Sequence, residues 1–241
     1  MPKINANLRS SSAALMKEFH TITHNIANAQ TSGFKRRIAS FSAAMDDQLG
    51  GKKKGESINV KSGFDFTQGN LEYSEKKLDL AINGKGFFVI ESPEGVSYTR
   101  NGQFTLDGNG QIVDVRGRTV AGTTGAITVP RNISESQITV TPEGNVEAND
   151  AVIGKLQVVE FGDNADKLKA AGDNCFTAPE DLDPEDAEDS FVEQGYREAS
   201  NVNIISESIN LLTVSRLYEA SMKVVTKKSD SSKSILNVAM G

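Results

Sequence analysis

Both ends of this 241-residue chain repeat apolar residues at alternating steps of four and three, with no glycine or proline to break the series. Near the N-terminus the series is Leu8, Ser12, Leu15, Phe19, Ile22, Ile26 and Ala29, in a stretch free of both breakers from Lys3 to Ser32. Near the C-terminus it is Ile204, Ser208, Leu211, Ser215, Tyr218, Met222, Val225, Ser229, Ser232, Leu236 and Ala239, with Ile205, Ile209 and Leu212 widening it at the start. Such steps return to one face of an α-helix, so the spacing predicts two long helices with a coiled-coil-like seam. Gly33 is expected to stop the first and Asn203 to cap the second. Serine at four seam positions makes the second stripe soft. It suits close packing against small-residue neighbours better than an isolated dimer.

Between the helices the period falls to two and glycine becomes frequent. Leu78, Leu80 and Ile82 alternate with Asp79 and Ala81, and Asn83-Gly84 then turns the chain into the apolar run Phe87-Phe88-Val89-Ile90. Further short strands are expected at 97–100, 103–106, 111–115, 127–129, 137–140, 145–147 and 155–161, separated by turns such as Asn101-Gly102 and Pro142-Glu143-Gly144-Asn145. The predicted class is α+β. The N- and C-terminal helices form a coiled-coil-like pair around a central all-β module, an antiparallel sheet, sandwich or partly closed barrel. The expected organisation is a terminal helical domain of 1–45 and 200–241, a Gly/Lys-rich linker at 46–62, and a β-rich module at 63–194. A mobile acidic loop near 178–190 carries seven carboxylates.

Composition removes several function classes. Net charge is −6, which argues against a nucleic-acid binder. The charge is uneven: residues 1–61 hold ten Lys/Arg against four Asp/Glu, leaving 16 against 28 in the rest. Like chains therefore attract weakly head to tail. A lone cysteine, Cys175, permits no internal disulfide and reads as a small buried hydrophobe. No apolar run is long enough to span a bilayer, so no membrane insertion is expected. No cleavable leader is visible, which implies a cytoplasmic chain or export by a route that leaves the N-terminus intact.

The residues with chemical potential form no catalytic constellation, and neither an enzyme nor a cofactor is expected. His20 and His24 stand one turn apart, but a third ligand is missing, so a polar helix face is the simpler reading. Asp181, Asp183 and Glu185 alternate like a calcium loop, yet Asp186 falls where that loop needs Gly and Val192 where it needs Glu. Gly84-Lys85-Gly86 and Gly108-Asn109-Gly110 lack the third glycine and following helix of a phosphate loop. Lys35-Arg36-Arg37 and Lys52-Lys53-Lys54 read as solvated turns, and Asp79 as a locally paired carboxylate. What remains is a pair of apolar helical stripes that ask for partners.

The stretch Asn25-Ile26-Ala27-Asn28-Ala29-Gln30-Thr31-Ser32-Gly33-Phe34-Lys35 resembles the N-terminal signature of bacterial flagellar rod and hook proteins, and it matches at each signature position, including Asn25, Asn28, Thr31, Gly33 and Phe34. Leu78–Phe88, Tyr98–Phe104, Gln194–Asn203 and Arg216-Leu217-Tyr218-Glu219-Ala220 resemble further blocks of that family, in order and across nearly the whole chain, although Leu217 stands where the family has alanine. The short middle favours a rod component, proximal-type over distal-type, and disfavours the longer hook protein.

The resemblance implies a structural subunit of the flagellar basal-body rod. Such a subunit leaves through the flagellar export apparatus uncleaved and joins itself and other rod or hook subunits in a helical assembly. That assembly lines the export channel and transmits torque from motor to hook. The termini are expected to fold on assembly, with the β-module outermost. The resemblance and the seams together make Leu15, Phe19, Ile22, Ile26, Leu211, Tyr218, Met222, Val225 and Leu236 the expected subunit contacts. The signature turn marks the junction of helix and outer module. Two rival readings are a monomeric secreted β-rich binding module with an internal helical hairpin and, more distantly, a β-fold hydrolase using His20 or His24.

Overall fold

The computed structural model describes the backbone of residues 2–44 and 57–240, and the side chains of 10–40 and 62–227. The fold is α+β, with one helix near each end and a mostly β centre. It divides into two compact units. One comprises Met1–Ala27, Arg37–Gly63 and Asn203–Gly241; the other comprises Asn28–Arg36 and Phe64–Val202.

In the first unit, α1 spans Pro2–Ala27 and α2 spans Ile204–Met240. α1 ends well before Gly33, contrary to expectation. Beyond Ala27 the chain turns on itself, with the Thr31 N–H donating to Asn28 O at 3.1 Å. Asn203 caps α2 as expected, its Oδ1 accepting from the Ser206 N–H at 3.0 Å. The helices touch at Ser12–Ser221 (hydroxyl oxygens 3.1 Å apart) and at Asn25–Glu207 (3.4 Å), so moving forward along α1 moves backward along α2. They are antiparallel neighbours. The strands Arg37–Ala44 and Ser57–Phe64 pair beside them. Within the expected linker, 46–56 lies outside the described residues.

The seam of α2 is broader than the expected one. Its inward residues are Glu207, Leu211, Val214, Tyr218, Ser221 and Val225, of which Glu207 and Val214 are fully buried. Ser208 and Ser215 of the expected series are half-buried beside them, whereas Ile204 and Met222 are exposed. Two polar pairs lie on this face: Glu207 meets Asn25 and Ser221 meets Ser12. Ser208 instead turns its hydroxyl back to Ile204 O at 2.7 Å.

The second unit is built from antiparallel sheets. The main path of the largest runs Lys169–Gly172, Cys175–Thr177, Gly95–Thr99, Phe87–Ser92, Thr119–Gly122, Ile112–Asp114 and Phe104–Leu106. A three-stranded sheet joins Ile138–Val140, Asn145–Ala148 and Ala151–Lys155. Two strand pairs complete the unit: Leu80–Asn83 with Phe191–Gln194, and Leu71–Tyr73 with Tyr196–Glu198. No closed barrel forms among the described residues.

The apolar run Phe87-Phe88-Val89-Ile90 explains how this unit is filled. A strand apolar on both faces must be covered on both. Phe88 and Ile90 enter one core with Leu80, Ile82, Ile112, Val120 and Ile138. Phe87 and Val89 enter a second with Tyr98, Phe161 and Phe176. The second core is mainly aromatic and packs edge to face. Tyr98–Phe161 centroids lie 4.9 Å apart, Phe66–Phe176 5.1 Å and Phe64–Phe176 5.0 Å. Each such fully buried side chain contributes about 1.5–3 kcal/mol.

Candidate functional site

The signature turn and the residues that receive it form the most constrained polar site in the β-rich unit. Gly33 has φ +67°, and its N–H donates to Glu198 O at 2.7 Å. A Cβ there would lie 2.5 Å from the Arg100 carbonyl carbon and closer still to the Asn101 nitrogen, so the position admits only glycine. Phe34 is buried next to it. Asn28 and Thr31 hold the turn, Thr31 Oγ1 donating to Asn28 Oδ1 at 3.3 Å and the Phe34 N–H to Thr31 O at 3.2 Å.

Lys35 follows and is only 2% exposed. This corrects the reading of Lys35-Arg36-Arg37 as a solvated turn. The ammonium donates to Glu198 Oε1 at 2.6 Å and to Thr67 O at 2.8 Å. Glu198, 1% exposed, also accepts from the Gly69 N–H at 2.8 Å and faces Arg100 Nη1 at 3.6 Å. Arg100 is buried as well, its guanidinium carbon 4.9 Å from the Phe87 ring centroid. Its Nε and Nη1, and Glu198 Oε2, make no hydrogen bond among the described residues. Two cations therefore share one carboxylate out of contact with water. Burial pushes the Lys35 pKa below the ordinary lysine value. The Glu198 charge opposes that shift and the Arg100 charge adds to it.

Asn201 ties the remaining strands of chain together. Its Oδ1 accepts from the Arg36 N–H at 2.7 Å, and its Nδ2 donates to Asp65 O at 2.8 Å and Thr67 O at 3.0 Å. The Asp65 N–H returns to Arg36 O at 2.8 Å. Segments 33–36, 65–69 and 198–201 are thus stitched at one place.

Asn25, the first signature residue, belongs to the helical unit. It grips the backbone of Arg37 as a strand would: Nδ2 donates to Arg37 O at 2.9 Å, and Oδ1 accepts from the Arg37 N–H at 2.8 Å. The same amide reaches Glu207 on α2.

Of the expected contact residues, Ile22 is buried against its own chain, Leu15, Phe19, Ile26, Leu211, Tyr218 and Val225 are half-buried, and Met222 is exposed. The Leu236 side chain lies outside the described residues. Ile205, Ile209 and Leu212 project from the face of α2 opposite Val214 and are 74%, 59% and 62% exposed. The seven carboxylates of 178–190 are exposed, and Glu185–Asp186 pairs with the strand Val158–Glu160. His24 is half-buried, its pKa lowered by burial and by the Arg37 charge. No group of His, Cys, Asp and Glu able to hold a metal occurs among the described residues.

Known proteins are similar to this chain in sequence. The family described as "Flagellar hook protein FlgE/F/G D1 domain" matches residues 81–148, and "Flagellar basal body rod FlgEFG protein C-terminal" matches 193–238. Similar proteins include the flagellar basal-body rod protein FlgG of Agrobacterium fabrum, 32% identical with 88% of this chain and 90% of the relative covered. The FlgG of Buchnera aphidicola from Acyrthosiphon pisum is 30% identical over 85% and 87%. The FlgF of Caulobacter vibrioides is 31% identical over 91% of each. A proximal-type rod protein fits this set. With two family domains and relatives aligned along most of its length, the chain belongs to the flagellar basal-body rod proteins, structural components of the flagellar basal body.

Proposed function

We propose that this rod subunit polymerises helically through its terminal helices, lines the export channel and transmits torque from motor to hook. In this reading 1–45 and 200–241 form the axial core, 46–62 the linker and 63–194 the outer shell. α1 and α2 pair as a coiled coil. The subunit reaches the rod through the flagellar export apparatus and assembles with copies of itself and with other rod or hook subunits.

The observation that carries the reading is the exposed stripe Ile205, Ile209 and Leu212. α1 occupies the opposite face of α2 and leaves these three side chains in water. Covering them against a neighbour contributes on the order of 5 kcal/mol before the entropy of association is subtracted. Contacts that do not close on themselves propagate as a filament. Leu15, Phe19, Ile22, Ile26, Leu211, Tyr218, Met222, Val225 and Leu236 are further proposed contacts, of which Ile22 is already buried within the chain. A monomeric binding module shares the antiparallel α1–α2 pair but leaves the stripe without an occupant.

The test is the double variant Ile209→Asp/Leu212→Asp, followed by sedimentation and electron microscopy at rising concentration. The variant is expected to stay monomeric, with thermal unfolding of its β-rich unit unchanged. Assembly equal to that of the wild type refutes the reading.

A further inference from the structure

The buried charges of the β-rich unit are arranged asymmetrically. Lys35 arrives on the N-terminal segment 28–36, Glu198 arrives on the C-terminal segment 196–202, and Arg100 directly follows the strand Gly95–Thr99 of the central sheet. With all three present, one carboxylate serves two cations. Remove the C-terminal segment, and Lys35 and Arg100 face each other without the carboxylate both contact, with Asp65 acting only weakly on Lys35. Remove the N-terminal segment instead, and Glu198 keeps Arg100 as its counter-charge.

We infer that Glu198 makes docking of the N-terminal signature turn conditional on docking of the segment before α2, while the reverse dependence is weak. The physical reason is that an unpaired buried charge costs several kcal/mol and two like charges cost more, whereas an ion pair left intact does not. The backbone agrees with this order. The Glu198 carbonyl and carboxylate receive the Gly33 N–H and Lys35 Nζ, so the charged receiving group for the turn exists only once 196–202 is seated; the turn's other partners, Thr67 O, Asn174 Nδ2 and the Asp65 N–H, are neutral. The strand Tyr196–Glu198, by contrast, has its own partner in Leu71–Tyr73, and the Ala199 N–H donates to Asn70 O at 2.8 Å, both independent of the turn. The inference concerns one chain and stands apart from the assembly reading.

Hydrogen exchange of the full chain reads both segments at once. The Gly33 and Arg36 amides report the turn, the Ala199 amide reports the C-terminal segment, and the strand Phe87–Ser92 reports the core. In Glu198→Gln the turn amides are expected to exchange at least about tenfold faster, the change that 1.4 kcal/mol of lost protection produces. In Lys35→Met the Ala199 amide is expected to stay within about threefold of wild type. In Lys35→Met/Glu198→Gln the repelling cation is gone, and turn protection should recover relative to Glu198→Gln alone. Two results overturn the inference: Lys35→Met loosening Ala199 as much as Glu198→Gln does, or a double variant no better protected than Glu198→Gln. If Glu198→Gln fails to fold, the same comparison is read in the yield of folded protein. Recovery in the double variant supports the inference, and no recovery overturns it.

Discussion

Replacing Gly33 by alanine should destabilise the β-rich unit far more than the same change at another left-handed glycine. At φ +67° an L-residue costs about 1–2 kcal/mol through its own Cβ and carbonyl. The new Cβ would also stand 2.5 Å from the Arg100 carbonyl carbon, where ordinary contact begins near 3.4 Å. Relief requires moving the backbone at Arg100-Asn101. There the Asn101 N–H donates to Thr99 Oγ1 at 3.0 Å and Asn101 Oδ1 accepts from the Gln103 N–H at 3.2 Å. Losing one such buried bond adds about 1–3 kcal/mol, for a total of about 2–5 kcal/mol. Gly117 supplies the control. Its φ is +79° and a Cβ there meets nothing within 4 Å, so Gly117→Ala should cost only the conformational share, about 1–2 kcal/mol. Urea unfolding followed by far-ultraviolet circular dichroism measures both. Equal costs for the two variants would show that the turn does not depend on close approach to Asn101, and the steric reasoning would fail.

Three further outcomes follow from the same contacts. Burial holds the Lys35 pKa below its ordinary value of 10.5, so between the folded and unfolded values the unfolded chain binds more protons and stability rises with pH. The stability difference between wild type and Lys35→Met should therefore move in favour of wild type as pH climbs through that alkaline window, and a flat or falling difference in urea melts contradicts the buried-lysine reading. Asn203→Ala removes the N-cap of α2 and should cost about 1 kcal/mol, seen as earlier loss of helical circular dichroism on heating. Phe88→Ala empties a fully buried site beside Phe104 and should cost about 3–5 kcal/mol in urea unfolding, and a loss below 1 kcal/mol would place Phe88 outside the core.

The parts of the molecule that depend on neighbouring residues in the chain were legible in the sequence. The unbroken four-and-three series located both helices, Asn203 located a cap, and the continuous run at Phe87–Ile90 marked the strand that both cores share. The signature residues pointed to the turn where the polar site lies. What escaped depends on distant partners. Periodicity alone placed Met222 in the α2 seam, where it is exposed, and it did not show Glu207, buried against Asn25, or the Ser221–Ser12 pair. Lys35 looked solvated because its carboxylate is 163 residues away. Arg37–Ala44 is a strand in small and polar residues, with too little alternation to announce itself, and it is aligned by the Asn25 amide rather than by an apolar face.

The pairing of the two chain ends also bears on when the molecule can fold. Ser12 meets Ser221 across 209 residues, and bringing together the ends of a loop that long costs about 5 kcal/mol of chain entropy. Within the β-rich unit, Gly33 and Lys35 likewise meet a partner, Glu198, from the far end of the chain. A chain that emerges gradually from its N-terminus therefore cannot form the α1–α2 pair or seat the signature turn on Glu198 until its last segments are free. Contacts of such long sequence separation form slowly. The N-terminal helix is consequently left without its α2 partner until the tail of the chain arrives.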